Sequence, residues 1–468
     1  MAEATGSEVK LAVEDGPVAL ALAASEQRCV PGAPIAAVIL AAGEGSRLGR
    51  PSKPLTRVAG VTLLERAVSA AREAGVGRVI VVIGHAKEDV ARFATEYDLD
   101  VEIIENDDFS AGNGSSAVVG AQLAGERFLL MMCDHIVEPV ALARMIACEA
   151  PFAVAIDTRP AHANEDEATK IRVADGAVVG VGPDLDEWNA VDAGVFICTR
   201  SVVETAEEAL ARGEGTWNAV KRRWIEEGRR LEAVDIAGSF WFDVDTPHDA
   251  RRAERLLLAR AAAKPLDGVV SRRLNRPLSR RISALLLRLH VSPTSASVAT
   301  FALGLVAAAL VALGAVLPAA LVIGGLFVQL ASVVDGCDGE IARVTLRTSR
   351  FGALLDTLLD RIVDAALLAA LAISAGFRAT TWTVLAVAVF VSMFVPYVKA
   401  AFESAAQTPL PSARAAFGRD ARMLVIAVGT IALQPLAALV VVAALSVAEG
   451  VARTARALRA ARVSDARR

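Results

Sequence analysis

Residues 335–360 read DGCDGEIARVTLRTSRFGALLDTLLD, and this stretch decides how the second half of the chain folds. Asp335 and Asp338 are three residues apart, which places both on one face of a helix. Asp356 and Asp360 are four residues apart and form a second stripe of the same kind. Two helices that face each other through these stripes would bring four carboxylates together.

The stretch lies among long apolar segments. Six segments rich in Ala, Val and Leu occur at about 296–314, 317–334, 352–375, 379–398, 418–434 and 436–452. Because a bilayer core needs about 20 residues of helix, we predict an all-α domain of six transmembrane helices. Lys and Arg collect on one side of these segments. By the positive-inside rule, we predict a multi-pass plasma-membrane protein with its N-terminal domain and C-terminus in the cytoplasm.

The four aspartates need a functional explanation. An acidic side chain near the middle of a bilayer costs about 2.5–3.5 kcal/mol on insertion scales. Four such side chains would also repel one another unless a divalent cation neutralised them. Hard oxygen ligands favour Mg²⁺, with Mn²⁺ as the alternative. A purely structural role is therefore disfavoured, and we predict a metal site.

From Asp335 to Asp360 the stretch resembles the signature D-x2-D-G-x2-A-R-x8-G-x3-D-x3-D of the CDP-alcohol phosphotransferases at every fixed position. The resemblance covers about residues 268–455 and implies a six-helix homodimer within the lipid bilayer. In this family an acceptor hydroxyl displaces CMP from a CDP-alcohol. The resemblance implies that Asp335, Asp338 and Asp356 bind metal, and that Asp360 approaches the metal and acts as general base.

The same resemblance assigns the substrate positions. Gly339, Ala342 and Arg343 would hold the CDP moiety. Arg419 and Arg422 resemble positions that bind a phosphorylated polyol. Positive-inside anchoring explains these two arginines equally well, so both interpretations stay open.

The first half of the chain has the pattern of a soluble enzyme. Apolar runs at 35–42 and 78–84, among others, alternate with helical segments and predict an α/β domain with a Rossmann-like, mainly parallel sheet. In such sheets ligands bind at the carboxyl ends of strands. The loop that follows the first run, within VILAAGEGSRLGRPSKPL at 38–55, is rich in glycine. Its backbone N–H groups are suited to bind phosphate oxygens.

This loop resembles the nucleotidyltransferase signature L-A-A-G-x-G-[ST]-R-[LM]…K-P. Two cations in the loop offset phosphate charge, so we predict Arg47 and Lys53 to be catalytic. We predict the nucleotide-binding positions to be Ala42, Gly43, Gly45, Ser46 and Lys53, together with Gly112 and Asn113 of GNGSS at 112–116.

Two further carboxylates suit a metal in this domain. Asp134 in MMCDH stands at a strand end and Asp245 in WFDVDTP stands before a helix, so the pair is placed to bind one Mg²⁺. For Asp245, a helix N-cap is the competing interpretation. Lys170 and Asp192 resemble positions that contact the phosphate substrate and sugar. His135 is interpreted as a satisfied polar residue without chemistry.

Over about residues 35–455 the chain resembles the bifunctional inositol-1-phosphate cytidylyltransferase/di-myo-inositol-phosphate phosphate synthase family. The elements that carry this resemblance are the domain order, GNGSS, MMCDH, FDVDTP and the linker SRRLNRPLSRRIS. It implies that CTP and inositol 1-phosphate give CDP-inositol and diphosphate. CDP-inositol and a second inositol 1-phosphate then give a phosphorylated di-inositol phosphodiester and CMP. Ser115, where the family usually has an aromatic residue, leaves the identity of the polyol phosphate open.

Other functions stay open from the sequence alone. The CDP-alcohol could carry another polyol, the acceptor could be a lipid alcohol, or the first domain could be a non-catalytic nucleotide-binding regulator. Nucleic acid is disfavoured as a partner, because the Arg clusters lie beside apolar segments and suit an anionic membrane surface. Five cysteines without CxxC spacing indicate neither a disulfide framework nor zinc.

The predicted organisation has five parts. An N-terminal extension at 1–34 precedes the nucleotidyltransferase domain at 35–262. A juxtamembrane linker follows at 263–295, and its alternating basic and apolar residues predict an amphipathic helix at the membrane surface, with a solvated basic helix as the alternative. The transmembrane domain at 296–455 and a basic tail at 456–468 complete the chain.

Overall fold

The computed structural model describes residues 35–48, 52–161, 168–263, 268–376, 378–408, 410 and 417–465. The predicted N-terminal extension at 1–34 lies outside the described residues. The chain divides into two compact units, Met1–Ala253 and Glu254–Arg468. The division falls within a helix, Pro247–Ala262.

The first unit alternates strands and helices around one large sheet. Its strands are β1 (Ala36–Ala41), β2 (Arg57–Val58), β3 (Val61–Thr62), β4 (Arg78–Ile83), β5 (Glu102–Glu105), β6 (Arg127–Met132), β7 (His135–Val137), β8 (Phe152–Asp157), β9 (Lys170–Ala174), β10 (Ala177–Gly182), β11 (Ala190–Thr199), β12 (Glu232–Asp235) and β13 (Trp241–Asp243). Its helices are α1 (Leu63–Glu73), α2 (Lys87–Glu96), α3 (Asn113–Ala124), α4 (Pro139–Ile146), α5 (Arg200–Ala211), α6 (Trp217–Glu226) and α7 (Pro247–Ala262).

The large sheet is mixed, which corrects the prediction of a mainly parallel sheet. Its nine strands lie in the order β5-β4-β1-β6-β11-β8-β12-β10-β9. β5, β4, β1 and β6 are parallel, as predicted, but β11 is antiparallel to both β6 and β8. The apolar character of β11 predicts burial on both faces, and it carries no information on strand direction. The parallel half contains the strand from which the glycine-rich loop leaves.

Every residue of β1 is buried, because helices cover both faces of the sheet at its centre. Helix α3 packs on one face through Gly120. A Cβ atom at this position would lie 2.7 Å from Val82 Cγ2, and still closer to Val38. The absence of a side chain therefore lets α3 approach the sheet closely, and α3 begins with Asn113 of the GNGSS segment.

A small two-stranded sheet carries two of the candidate site segments. β7 and β13 pair antiparallel, with Asp243 opposite His135. The pairing continues one step further, since the backbone N–H of Val244 donates to the carbonyl oxygen of Asp134 at 3.1 Å. Segments that are far apart in the sequence are thereby held side by side.

The second unit is helical throughout its described secondary structure. After a π-helical turn at Ser271–Asn275, its helices are α8 (Arg276–Arg288), α9 (Pro293–Leu313), α10 (Pro318–Val344), α11 (Arg350–Ala375), α12 (Ala379–Ala406), α13 (Arg419–Ile431) and α14 (Pro435–Asp465). Helices α9 to α14 correspond to the six predicted apolar segments.

Four of these six helices are long and apolar enough to cross a membrane: α9, α10, α12 and α14 up to Arg462. The prediction of six spanning helices is therefore met only in part. Helix α11 carries Asp356, Asp360, Arg361 and Asp364, and helix α13 has only 13 residues. Helix α11 falls short of the hydropathy of a membrane span because it carries the charged residues of the predicted site.

The predicted juxtamembrane helix packs on α10 through polar groups. Glu340, which is fully buried, accepts hydrogen bonds from Ser279 at 2.6 Å and from Ser283 at 2.7 Å. Arg276 forms an ion pair with the same carboxylate at 2.9 Å. The exposed leucines of α8, among them Leu278 and Leu285, lie away from this contact. Helix α8 therefore directs Arg276, Ser279 and Ser283 toward Glu340, whereas its exposed side carries leucines together with Arg280 and Arg281.

The close packing of α3 gives a prediction for stability. Replacing Gly120 with Val forces branched atoms against Val38 and Val82, and overpacking of this kind costs about 1–3 kcal/mol. We expect Gly120→Val to lower the midpoint of thermal unfolding of the first unit, measured by tryptophan fluorescence in detergent. Gln122→Val, an exposed position on the same helix, is the matched control. Equal midpoints for the two variants would contradict the close approach.

Candidate active sites

The first candidate site lies where β1 ends. Its cavity has a volume of about 390 Å³. Its lining includes Ala42, Gly43, Gly45, Arg47, Lys53, Gly112, Asn113, Asp134 and Asp245. Ser46 begins a short 3-10 turn, and its side chain lies outside the described part of the structure. All the other predicted nucleotide-binding positions of this unit thus share one cavity.

Lys53 joins the two carboxylates predicted to bind metal. Its Nζ atom lies 2.5 Å from Asp134 Oδ2 and 2.6 Å from Asp245 Oδ1. Burial disfavours the charged lysine, but the two carboxylates outweigh burial and hold the pKa of Lys53 well above its ordinary value. Arg47 approaches the other oxygen of Asp245 at 3.5 Å. The carboxylates of Asp134 and Asp245 therefore converge on one point.

Two residues that were given no role in the sequence analysis complete this cluster. His135 Nδ1 lies 2.8 Å from Asp134 Oδ1 and 3.8 Å from Asp243 Oδ1. One ligand atom from each of these three residues lies within 4.8 Å of the others. Asp243 has a signal in the sequence, because residues two apart on an extended strand face the same side and Asp245 follows at that spacing. His135 has none beyond its position after Asp134.

Burial and charge oppose each other at these groups. Burial disfavours the imidazolium of His135, but Asp243 and Asp134 raise its pKa to about 9. Burial raises the pKa of Asp243 to about 6, with Asp134 and Asp245 adding to the increase and His135 opposing it. For Asp134, burial favours the neutral acid, yet His135 and Lys53 hold its pKa well below the ordinary value. Asp134 is thus ionised at neutral pH, and its oxygens suit a hard cation such as Mg²⁺.

A second cavity, of about 370 Å³, adjoins the first, and Asn113, Asp134 and Asp245 line both. Lys221 and Asp192 line this cavity and form a buried ion pair. The ammonium of Lys221 also lies 5.3 Å from the ring centre of Phe196. Lys221 was not predicted from the sequence, because it lies on a helix far from Asp192 along the chain.

A glycine brings Asp192 close to the cluster of Asp134, His135 and Asp243. Gly194 has φ +72°, and a Cβ atom there would lie 2.6 Å from the ring of His135. Its backbone N–H donates to Asp192 Oδ1 at 2.8 Å. Asp192 also lines the second cavity.

The cations of the second cavity differ from those predicted. Lys170 begins β9 next to Thr169, which lines the cavity, but Lys170 itself is not among the lining residues. Arg252 on α7 does line it, with its guanidinium carbon 5.5 Å from the ring centre of Phe242. Because Lys221 is paired with Asp192, Arg252 is the cation better placed to meet an anion here.

The second candidate site is a cavity of about 590 Å³ in the helical unit. One carboxylate oxygen each from Asp335, Asp356 and Asp360 lies within 4.8 Å of the others. Asp338 lines the same cavity, where its carboxylate accepts a hydrogen bond from Ser297 at 2.5 Å. Three converging carboxylates from two helices fit divalent cations, since paired metals in such sites lie about 3.5–4 Å apart.

The arginines of this unit lie around the carboxylates. Arg419 Nη1 is 2.5 Å from Asp335 Oδ1 and 3.0 Å from Asp360 Oδ1. Arg422 forms an ion pair with Asp364 at 2.9 Å and is not among the residues that line the cavity. Asp364 was not predicted, although it continues the spacing of four that joins Asp356 and Asp360. The arginines therefore contact the acids directly.

The positions predicted to hold the CDP moiety also line this cavity. They are Gly339, Ala342 and Arg343, which lie on α10 next to the aspartates. Arg343 donates to the carbonyl oxygen of Ala261 at 2.8 Å. Ser271, Arg276 and Ser279, from the turn before α8 and from α8 itself, line the cavity as well. The juxtamembrane segment thus forms one wall of the cavity.

Comparison with known proteins identifies both halves of the chain. The family model for the MobA-like NTP transferase domain matches residues 37–292, and the model for CDP-alcohol phosphatidyltransferase matches residues 292–452. A bifunctional IPC transferase and DIPP synthase of Rubrobacter xylanophilus is 43% identical over 428 residues, which cover 90% of this chain and 95% of that protein. A protein of the same name from Aquifex aeolicus is 34% identical, with 84% of this chain and 91% of that protein covered.

Among solved structures, the inositol-1-phosphate CTP transferase of T. maritima is 24% identical to this chain, with a TM-score of 0.44. The match covers 47% of this chain and 92% of that one.

Proposed function

The chain belongs to the family of bifunctional IPC transferases and DIPP synthases, and from this premise we propose that it performs two successive transfers at two separate sites. The first unit forms CDP-inositol and diphosphate from CTP and inositol 1-phosphate. The second unit transfers the phosphoinositol group to a second inositol 1-phosphate and releases CMP. The observation that carries the proposal is the convergence of Asp335, Asp356 and Asp360 beside residues of the CDP-alcohol signature.

In the first reaction a phosphate oxygen of the inositol phosphate attacks the α-phosphorus of CTP. A new P–O bond forms at the α-phosphorus, the bond to the β-phosphate breaks, and diphosphate leaves. The enzyme needs no nucleophile of its own, so positioning and charge stabilisation supply the catalysis. The loop that contains Gly43 and Gly45 offers backbone N–H groups to the triphosphate, and Arg47 and Lys53 balance its charge.

A divalent cation held by Asp134 and Asp245 would neutralise the phosphates of CTP. Mg²⁺ is the expected ion and Mn²⁺ the alternative, because both ligands are hard oxygen atoms. Gly112 and Asn113, at the start of α3, are assigned to the nucleobase side of the cavity.

The second cavity of the first unit suits the polyol phosphate. It adjoins the nucleotide cavity at Asp134 and Asp245, so a phosphate bound there faces the α-phosphorus of CTP. Asp192, fixed by Lys221, is suited to accept hydrogen bonds from polyol hydroxyls. Arg252 supplies the positive charge for the substrate's phosphate. Lys170 stays a prediction for the same role.

In the second reaction the acceptor hydroxyl attacks the β-phosphorus of CDP-inositol, the bridging P–O bond breaks, and CMP leaves. Asp360 takes the hydroxyl proton as general base. Gly339, Ala342 and Arg343 hold the CDP moiety. Cations held by Asp335, Asp338, Asp356 and Asp360 would stabilise the charge on the leaving CMP. Arg419, which lines the cavity, is assigned to the acceptor's phosphate, and Arg422 stays a prediction for the same role.

The setting of the reactions follows from charge and hydropathy. Basic residues flank the apolar helices on one side, as in Arg272, Arg273 and Arg280 before α9. By the positive-inside rule, the first unit and the C-terminus are assigned to the cytoplasm and the second unit to the plasma membrane. The CDP-alcohol phosphotransferase resemblance supports a homodimer formed through the second unit.

Product analysis tests the proposed substrates. Membranes that contain the chain, incubated with CTP, Mg²⁺ and a panel of polyol phosphates, are expected to give CDP-inositol and then a phosphorylated di-inositol diester, identified by mass. Another CDP-polyol would change the substrate assignment. A lipid product would change the acceptor, and the absence of any CDP-polyol would favour a regulatory first unit.

Two substitutions are expected to separate the reactions. Asp134→Ala removes a metal ligand of the first unit, so it should abolish diphosphate release from CTP and leave CMP release from supplied CDP-inositol unchanged. Asp360→Asn removes the general base and should do the reverse. Both activities are measured in the full chain, and each variant is the control for the other. CMP release that persists in Asp360→Asn would remove the general-base assignment.

The polyol phosphate subsite gives a third substitution. Arg252→Gln removes the cation that lines the cavity, and we expect the KM for inositol 1-phosphate to rise about ten-fold, as loss of one charge-assisted hydrogen bond implies. The kcat should change little, because the contact exists before and during transfer. Arg251→Gln, an exposed neighbour outside the cavity lining, is the control. A larger rise in KM for Lys170→Gln than for Arg252→Gln would restore Lys170 as the phosphate ligand.

A further inference from the structure

Asp364 lies one turn beyond the metal-binding stripe of α11, in a setting unlike that of the other acids. Its side chain is 6% exposed. It forms ion pairs with Arg361 at 3.1 Å, Arg422 at 2.9 Å and Arg419 at 3.2 Å. Three arginines around one buried carboxylate leave an excess of positive charge beside Asp364. Asp364 therefore needs no metal for its own neutralisation.

Arg419 connects this group to the metal-binding carboxylates. Its Nη1 atom contacts Asp335 and Asp360 at 2.5 and 3.0 Å, whereas its Nε atom contacts Asp364 at 3.2 Å. One guanidinium is thus divided between two acids proposed to bind cations and one that is not. Arg419 therefore has carboxylate partners on both sides. If the contacts on one side are lost, its buried charge is still paired on the other side.

A divalent cation and Arg419 would compete for the carboxylates of Asp335 and Asp360. Two positive groups cannot both lie within hydrogen-bonding distance of Asp335 without strong repulsion in a site of low dielectric constant. Binding of a cation by Asp335 and Asp360 would therefore weaken the contacts of the guanidinium with these two acids. The free energy of that change depends on whether another carboxylate retains Arg419.

We infer that Asp364 is a positioning residue that retains Arg419 when Asp335 and Asp360 take up a divalent cation. This inference rests on the proposed function, because it assumes that Asp335 and Asp360 are metal ligands. The pairing sets the affinity of the site for the cation and keeps Arg419 beside the metal, where the acceptor's phosphate is proposed to bind. Asp364 does not touch the reacting atoms and acts through Arg419.

The test measures Mn²⁺ binding to the full chain in detergent, by the loss of the free-ion EPR signal. Every protein carries Asp134→Asn and Asp245→Asn, so that the ion bound is that of the second unit. In this background, Asp364→Asn is expected to raise the dissociation constant for Mn²⁺ about ten-fold, within the range of coupling between two sites that share one element. Glu449→Gln, which removes another buried carboxylate paired with two arginines, is the matched control and should leave the constant unchanged.

A double-mutant cycle distinguishes retention of Arg419 from a general loss of negative charge. With Arg419→Gln present, no guanidinium competes, and Asp364→Asn should no longer change the dissociation constant. Equal effects of Asp364→Asn with and without Arg419 would overturn the inference. Should Asp364→Asn fail to fold, Asp364→Glu displaces the same charge by one methylene group, and its smaller effect should likewise vanish with Arg419→Gln.

The outcome for the parent protein keeps the two proposals separate. If the parent binds no Mn²⁺ that Asp335→Asn abolishes, the metal site of the proposed function is wrong, and the inference falls with it. If the parent binds Mn²⁺ and Asp364→Asn binds it equally well, the positioning role alone is wrong.

Discussion

A carboxylate buried among apolar helices is stable only when positive charge lies next to it, and the second unit is organised by this requirement. Asp335 and Asp360 share Arg419, and Asp364 is surrounded by three arginines. Even Glu340, outside the reaction itself, has an arginine and two serine hydroxyls around its carboxylate. The acids that are proposed to bind metal are therefore held together, although their like charges repel one another.

The first unit meets the same constraint in a different fold. Asp134 and Asp245 converge on the ammonium of Lys53, much as Asp335 and Asp360 converge on the guanidinium of Arg419. In each unit a basic side chain contacts the acids that are proposed to bind metal. Both reactions act on phosphate esters, which bring further negative charge into the site. A bound metal ion and the basic side chain of the protein can together neutralise that charge. Neither reaction requires a nucleophile from the protein.

Much of this arrangement was determined by the sequence itself. Asp335 and Asp338 are three residues apart, and Asp356 and Asp360 are four apart. These steps match the period of a helix, so the shared face of each pair follows from local geometry alone. The glycine-rich loop after β1 is equally local, because the residues that surround a phosphate come from one short segment. The four parallel strands β5, β4, β1 and β6 and the helices α9 to α14 were also readable, since each reflects an apolar run with a regular period.

The direction of the strands and the pairing of charged side chains were decided only by the tertiary structure. An apolar run indicates that a strand is buried, but it does not indicate that β11 is antiparallel to its neighbours. The pairs formed by Asp192 with Lys221, and by Arg419 with Asp364, join residues on different elements, and no local period records which elements meet. Charge neutralisation acts through space over a few ångströms, so the residues that complete each site are fixed only when the whole unit has packed.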